Sequence, residues 1–294
     1  MTEQPKPEQV SDPLRQVLDW PVPHAAAAVL SRAGVLAEVG DTSMRFPLAS
    51  VTKPLAALAA LVAVEEGAIE LDRPVLEYAP DRLGEELAAE LGSMTLRHLL
   101  AHASGLAPDR RRRGADVGVR RIYSNVGYDL VGELVADATG IAFDDYLHEA
   151  VFSPLRMRTA VLEGSPAFAC TASVADLEIL IGELLTPGGL LHADTLADAR
   201  SVQFPGILGV LPGYGGQRPN DWGLGFEIRG LKDPHWTSPR NSPATYGHFG
   251  RSGTMFWIDP QAGLGLVALA DKGFGPWAIK AWPRLSEAVL DSYS

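Results

Sequence analysis

The stretch FPLASVTKPLAALAALVAVEE at residues 46–66 contains the longest apolar run of the chain, residues 54–64. That run is too short to cross a bilayer. It stops at two glutamates followed by Gly67, which is a typical helix end. The stretch therefore predicts a core helix over residues 53–66, around which the rest of the fold is organised.

Ser50 and Lys53 stand three residues apart at the start of this helix. Residues at i and i+3 share a helix face, and burial favours the neutral form of a lysine. A neutral amine can accept the proton of a nearby serine and so make its hydroxyl a nucleophile. The pair therefore indicates an acyl-transfer enzyme. The alternative interpretation makes Ser50 a helix N-cap and Lys53 a solvated side chain.

The whole-chain composition is typical of a soluble globular protein. Of 294 residues, 46% are hydrophobic and 21% charged, and the mean hydropathy is +0.04. A net charge of −11 and a pI near 5.1 would repel nucleic acid and anionic membranes, so we expect neither as a partner. Four arginines at residues 110–113 are the exception, and we interpret them as a solvated loop rather than an anion site. We expect a monomer that binds a small molecule.

The sequence predicts no cofactor and no metal site. Its one cysteine, Cys170, cannot form an internal disulfide and is predicted to be buried. His98 and His102 are an i, i+4 pair, but Leu99 stands where a His-Glu-x-x-His metal hydrolase carries its glutamate. Residues 1–20 are polar and proline-rich, without the basic start and apolar run of a secretory signal. We therefore expect a cytoplasmic protein if the first methionine is native.

Apolar spacing and turn residues predict strands at both ends of the chain and helices between them. The predicted strands are residues 25–30, 35–39, 245–249, 254–258 and 264–270, and the predicted helices are residues 12–18, 53–66, 96–102, 124–139, 142–151, 173–185 and 276–290. Residues 204–241 are rich in glycine and proline, which favours a long loop region that shapes a pocket.

This order of elements predicts an antiparallel sheet assembled from the two ends of the chain. We predict a lead-in segment at residues 1–20 and a discontinuous sheet domain made of residues 21–70 and 240–294. Residues 71–239 form a mostly helical insertion in this scheme.

Three short motifs occur in order along the chain: Ser50-Val51-Thr52-Lys53, Tyr123-Ser124-Asn125 and His248-Phe249-Gly250. Each alone is a weak signal. Together with the sequence around them, at residues 46–66, 95–106, 123–140, 222–226 and 247–270, they resemble the serine β-lactamase and penicillin-binding protein family, in its class C-like branch. That branch also contains esterases and D-amino-acid amidases and peptidases. The resemblance implies an α+β fold of the β-lactamase/DD-peptidase type.

The resemblance also implies roles for individual residues. Ser50 is then the acylated nucleophile, Lys53 its proton acceptor and Tyr123 a phenol that passes a proton to the leaving group. Asn125 would orient a substrate carbonyl. The alternative is a purely structural role for both residues, with Tyr123 a core aromatic residue and Asn125 a helix cap.

The third motif brings three further residues to the expected site. Gly250 would let a substrate approach the strand backbone, and the main-chain N–H groups of Arg251 and Ser50 would hold the oxyanion. His248 would bind substrate or tune the proton of Tyr123. The alternative for His248 is a purely structural role, as a strand-edge histidine with a structural hydrogen bond.

His248 and Phe249 stand where true class C β-lactamases have the Lys and Thr of a Lys-Thr-Gly motif. The change removes a fixed positive charge that would attract a substrate carboxylate, so we expect small esters or amides as substrates. Three alternatives stay open, namely β-lactamase activity, D-Ala-D-Ala peptidase-type activity, and a penicillin-binding sensor without turnover. An α/β-hydrolase is excluded because the chain has no Gly-x-Ser-x-Gly elbow.

Overall fold

The structure, a computed structural model, describes residues 12–294. The first eleven residues of the predicted lead-in segment lie outside this range. The described part begins with a 3₁₀ helix, Pro13–Asp19, whose first turn is capped by the Asp12 carboxylate at 2.9 Å from the Leu14 N–H. The short helix predicted here is therefore confirmed.

Each predicted strand and helix from residue 12 onward has a counterpart in the structure, which adds six short strands and three short α-helices between them. The strands are β1 (Ala25–Ser31), β2 (Gly34–Val39), β3 (Arg45–Pro47), β4 (Val161–Leu162), β5 (Cys170–Ser173), β6 (Gly209–Leu211), β7 (Gly215–Gln217), β8 (Glu227–Ile228), β9 (Tyr246–Gly250), β10 (Thr254–Asp259) and β11 (Leu264–Ala270). The α-helices are α1 (Thr52–Glu65), α2 (Glu85–Leu91), α3 (Leu96–Leu100), α4 (Asn125–Thr139), α5 (Phe143–Leu147), α6 (Ser153–Leu155), α7 (Val174–Leu185), α8 (Ala193–Ala199) and α9 (Pro276–Tyr293).

The main sheet joins the two ends of the chain. Its strand order is β2-β1-β11-β10-β9-β8, and the paired strands are antiparallel. The register of β1 on β11 runs from Ala25 opposite Ala270 to Ser31 opposite Leu264. This pairing confirms the predicted sheet of N- and C-terminal strands.

Both faces of the sheet are covered, which explains why β1 and β11 are apolar at successive positions. Because side chains alternate along a strand, Ala26 and Ala28 face the core that contains α1 and α7. Ala27 and Val29 face the other side, where they pack with Trp282 of α9.

Helix α1 lies in the middle of the larger core. Eleven of its fourteen residues are buried, Lys53 among them, so it is apolar around its whole circumference, as a central helix must be. It packs against α4 and α5, and Gly67 ends it with a φ of 75°. The predicted core helix is confirmed.

Several segments differ from the sequence-based expectation, and among them β4 and β5 lie in the region predicted to be mostly helical and form a three-stranded sheet with β3. The helix predicted at residues 142–151 is α-helical only to Leu147 and continues as a π-helix, His148–Phe152, just before Pro154, which has no N–H for a regular helical bond. In the glycine- and proline-rich region, β6 and β7 form a hairpin and β8 joins the main sheet.

The division into a sheet domain and a helical domain stays a prediction. Three elements from residues 71–239 contact strands of residues 21–70 or 240–294: β8 is an edge strand of the main sheet, β5 pairs with β3, and α7 packs on β1 and β11. Among residues 12–294, none of the helices has the length and apolar character needed to span a bilayer.

Candidate active site

Ser50 lies on a tight turn that is held in place by the main sheet. Strand β3 leads into a single 3₁₀ turn, Ala49–Val51, directly before α1. Ala49 has a φ of 47°, a strained value for a residue with a Cβ. The Thr254 hydroxyl donates a hydrogen bond to the carbonyl of Leu48 at 2.8 Å. Strand β10 thus fixes the turn that presents the serine.

Gly250 is required by the same contact. A Cβ added at Gly250 would lie 2.3 Å from the carbonyl oxygen of Leu48 and 2.3 Å from the hydroxyl of Thr254. The close approach that needs this glycine is therefore made by the backbone that leads to Ser50. The approach of a substrate to the strand backbone at Gly250 stays a prediction.

Lys53 is completely buried beneath the site. Its ammonium nitrogen donates hydrogen bonds to Asn125 Oδ1 at 2.8 Å and to the carbonyl of Ala167 at 2.9 Å. It also lies 4.5 Å from the centre of the Tyr123 ring. Among the described contacts it makes no hydrogen bond to Ser50, so the two residues are neighbours without a direct proton-transfer contact in this state.

Burial lowers the pKa of Lys53 from 10.5 to about 7, although the carboxylates of Asp129 and Asp109 oppose this shift. Desolvation penalises the charged form of an amine. A large fraction of Lys53 is therefore neutral near pH 7, which is the state that a general base needs.

Tyr123 lies over Lys53 at the start of α4. Burial raises the pKa of its phenol above the ordinary value of 10, while the nearby Ser50 side chain acts in the opposite direction. The phenol is therefore protonated at neutral pH. It can receive a proton from Ser50 only as it passes its own proton on.

The start of α4 explains why the second motif brings Tyr123 and Asn125 together. The Ser124 hydroxyl accepts the Gly127 N–H at 3.0 Å as an N-cap, so Tyr123 precedes the helix and Asn125 opens it. The Asn125 amide uses both of its ends, because its nitrogen donates to Asp109 Oδ1 at 2.8 Å while its oxygen accepts from Lys53.

His248 is buried and neutral. Its Nδ1–H donates to the carbonyl of Phe249 at 2.7 Å, and its Nε2 has no partner among the described residues. Burial, with a smaller effect of Lys53, lowers its pKa from 6.5 to about 3. It therefore supplies no positive charge near pH 7, unlike the lysine of a Lys-Thr-Gly motif.

A cavity of about 400 Å³ connects the predicted residues. Its polar side is formed by Ser50, Tyr123, Asn125, Glu227, His248 and Arg251, and its apolar side by Leu211, Pro212, Trp222, Phe249 and Phe274. The structure thus brings residues of all three motifs to one cavity. Gly250 and Lys53 lie directly behind it.

Sequence reasoning missed a buried charged cluster at one end of this cavity. The Glu227 carboxylate pairs with Lys232 and accepts hydrogen bonds from His235 at 2.9 Å and Trp236 at 3.0 Å. All four side chains are buried. The signal in the sequence was a glutamate directly after the apolar segment Trp222–Phe226. That position alone does not reveal Lys232, His235 and Trp236 as its partners, because they follow in a loop.

His102, the second residue of the i, i+4 histidine pair, makes a structural contact. Its Nδ1 accepts the Ser124 N–H at 3.1 Å, and its ring lies 4.5 Å from that of Tyr123. His98 stacks on Phe204 instead, at 4.4 Å. No metal-binding group of three or more acidic, histidine or cysteine side chains occurs in the region from residue 12 onward.

A sequence profile described as Beta-lactamase matches residues 22–290. The chain belongs to the beta-lactamase family. A solved structure described as a beta-lactamase from Mycobacterium bovis is 52% identical and covers 96% of this chain and 99% of its own, with a TM-score of 0.89. The family and the α+β fold expected from the motifs are therefore confirmed.

Other proteins that resemble this chain carry different names. Monacolin J acid methylbutanoyltransferase from Aspergillus terreus is 33% identical over 154 residues, which are 39% of this chain and 37% of that protein. N-acetylmuramyl-L-alanine amidase from Bacillus subtilis is 23% identical over 315 residues, which cover 80% of this chain and 69% of that protein. The chain thus spans little more than a third of the length of the first of these relatives.

Proposed function

We propose that this beta-lactamase family member is a serine hydrolase that cleaves small esters or amides through an acyl-enzyme on Ser50. The observation that carries the proposal is a fully buried lysine with a pKa of about 7, placed one helical turn from Ser50 and beneath Tyr123. A lysine is buried in this way at high cost. Such a perturbed amine beside a cavity is a hallmark of catalytic sites.

In the proposed reaction, the Ser50 oxygen attacks the substrate carbonyl carbon. Its proton passes to the Tyr123 phenol, which gives up its own proton to Lys53. The tetrahedral intermediate then collapses, the bond to the leaving group breaks, and the alcohol or amine takes the proton back from Lys53 through Tyr123. A water molecule repeats the sequence on the acyl-enzyme and releases the acid.

The oxyanion of the intermediate requires two donors near Ser50. The main-chain N–H groups of Ser50 and Arg251 are the proposed pair. Thr254 and Gly250 support this assignment, because they lock the Ser50 turn against the end of β9.

The cavity favours a neutral, partly apolar substrate. Leu211, Phe249 and Phe274 provide an apolar surface on which an acyl chain can bind. His248 is uncharged, so the buried cation of a Lys-Thr-Gly motif is absent, and the cation on the cavity wall is Arg251, an exposed side chain whose ion pairs are weakened by water. We therefore rank esters and small amides above β-lactams. A β-lactam carries a carboxylate that a Lys-Thr-Gly motif would bind, and this chain has His248-Phe249-Gly250 in its place.

β-Lactam hydrolysis is the second candidate. It is favoured by the 52% identity with a protein described as a beta-lactamase. It uses the same nucleophile and base and differs only in the substrate that enters the cavity.

Parallel assays with short-chain p-nitrophenyl esters and with nitrocefin distinguish the two candidates. Esterase activity that is lost in Ser50→Ala and kept in Ser43→Ala, an exposed serine, supports the proposal. Rapid turnover of nitrocefin without ester hydrolysis would replace it by the second candidate.

Intact-protein mass spectrometry completes the test. A mass increase equal to the acyl group, absent in Ser50→Ala, identifies the nucleophile. A stable penicilloyl adduct with neither ester nor nitrocefin turnover would indicate a penicillin-binding sensor instead.

A further inference from the structure

A hydrogen-bonded chain runs from the protein surface to the buried base. The exposed carboxylate of Asp109 accepts the Asn125 amide N–H at 2.8 Å, and the oxygen of the same amide accepts from the Lys53 ammonium at 2.8 Å. Asp109 lies in the loop before α4 and belongs to none of the three motifs. The proposed mechanism assigns it no role.

The Asn125 amide has two possible orientations, and only one satisfies both neighbours. Lys53 has only donors on its ammonium, and the carboxylate of Asp109 has only acceptors. With the amide oxygen toward Lys53, both contacts are hydrogen bonds. A rotated amide would place its NH₂ against the ammonium and its oxygen against the carboxylate.

We infer that Asp109 is a positioning residue for the base: it fixes the Asn125 amide with its oxygen toward Lys53, and its negative charge contributes to holding the ammonium form of Lys53. The inference rests on the proposed function of Lys53. The second N–H of the same amide is left for a substrate carbonyl, because only one of the two is used on Asp109.

The charge effect is supported by the surroundings of Lys53. The groups that face it are the carboxylates of Asp109 and Asp129, the imidazoles of His102 and His248, and the phenols of Tyr123 and Tyr128. Both imidazoles have lowered pKa values because they are buried, and burial keeps both phenols protonated. The two carboxylates are therefore the charges that favour the ammonium.

Two substitutions separate the two roles of Asp109. Asp109→Asn removes the charge and keeps an oxygen that can accept the Asn125 N–H. Asp109→Ala removes both. Asp116→Asn is the matched control, because Asp116 is in the same loop, is paired with Arg113, and does not contact Asn125 or Lys53.

We expect the acid limb of the kcat profile for ester hydrolysis to move to lower pH by about 0.5 unit in Asp109→Asn, because an ammonium without this carboxylate loses its proton more readily. Since Asp109 is exposed, about 0.5 M salt should reduce the shift. The kcat at the plateau should stay within about twofold in Asp109→Asn and fall about tenfold in Asp109→Ala, as the amide is released.

Identical profiles and plateaus for the wild type and both Asp109 variants would overturn the inference. An equal shift in Asp116→Asn would also overturn it, because the effect would then belong to the loop charge in general. A structural role alone would lower the melting temperature without moving the acid limb.

A direct titration keeps this test separate from the proposed function. In protein labelled with ¹³C-lysine, the Lys53 signal, identified by its loss in Lys53→Met, reports its protonation without any substrate. A lower pKa in both Asp109 variants supports the inference even if no ester is hydrolysed. An unchanged pKa refutes it even if the hydrolase activity is found.

Discussion

Replacing Lys53 by methionine tests the central physical claim of a buried, neutral amine. Its pKa is 10.5 in its ordinary state and about 7 in the folded protein. Because the folded value is the lower one, the unfolded chain holds the proton more strongly, and folding must release it or bury the charge. This cost is absent above pH 10.5, grows as the pH falls toward 7, and is constant below about pH 6.

The size of the effect follows from the shift. A difference of 3.5 pKa units is worth about 5 kcal/mol at its maximum, of which about 3 kcal/mol develops between pH 9 and pH 6. Lys53→Met removes this dependence. Methionine also leaves Asn125 Oδ1 and the Ala167 carbonyl without their donor, at about 1–3 kcal/mol each. That second cost does not change with pH.

The measurement is the free energy of unfolding in urea at pH 9, 8, 7 and 6 for wild type and Lys53→Met. We expect the variant to gain about 3 kcal/mol relative to wild type from pH 9 to pH 6. Lys280→Met, which alters an exposed lysine near the C-terminus, should show a constant difference. A constant difference for Lys53→Met as well would mean that its amine is not desolvated, and the proposed base would be lost.

Three further predictions concern the protonation of Lys53, the turn at Ser50 and the buried Glu227 pair. Ester hydrolysis should fall about tenfold per pH unit below pH 7 as the buried lysine takes up its proton; a flat profile down to pH 5 would contradict this. Gly250→Ala should lower kcat at least about a hundredfold, because the added methyl group would lie 2.3 Å from the Leu48 oxygen and displace the Ser50 turn. Gly216→Ala is the control and should leave kcat unchanged, since a Cβ there meets no atom within 4 Å. Glu227→Gln should lower the free energy of unfolding by about 3 kcal/mol or more, because the Lys232 ammonium is left buried without its carboxylate. A melting temperature equal to that of wild type would contradict this prediction.

Much of the fold is predictable from local patterns. The apolar residues of β1, β10 and β11 are typical of strands covered on both faces, and α1 is apolar on all sides because it is central. The N-cap Ser124 and the terminal Gly140 mark both ends of α4. These signals depend only on residues close together in the sequence.

The details of the site depend on contacts between distant segments, which local patterns do not contain. The Thr254 hydroxyl bonds the Leu48 carbonyl across 206 positions of the chain, and Ala167 provides a lysine acceptor 114 positions from Lys53. No property of Thr254 or Ala167 taken alone predicts either role. The positive φ of Ala49 is likewise imposed by packing, because alanine does not prefer it.

The burial of α1 and the reactivity expected of Ser50 have one physical cause. A helix that carried its lysine at the surface would keep that amine charged near pH 7, and the neighbouring hydroxyl would lack a base. Because α1 is packed on every side, water cannot solvate the Lys53 ammonium, and two hydrogen bonds replace only part of that solvation. The apolar sequence at residues 54–64 therefore does more than hold the core together, since it provides the environment in which Lys53 can act as a base.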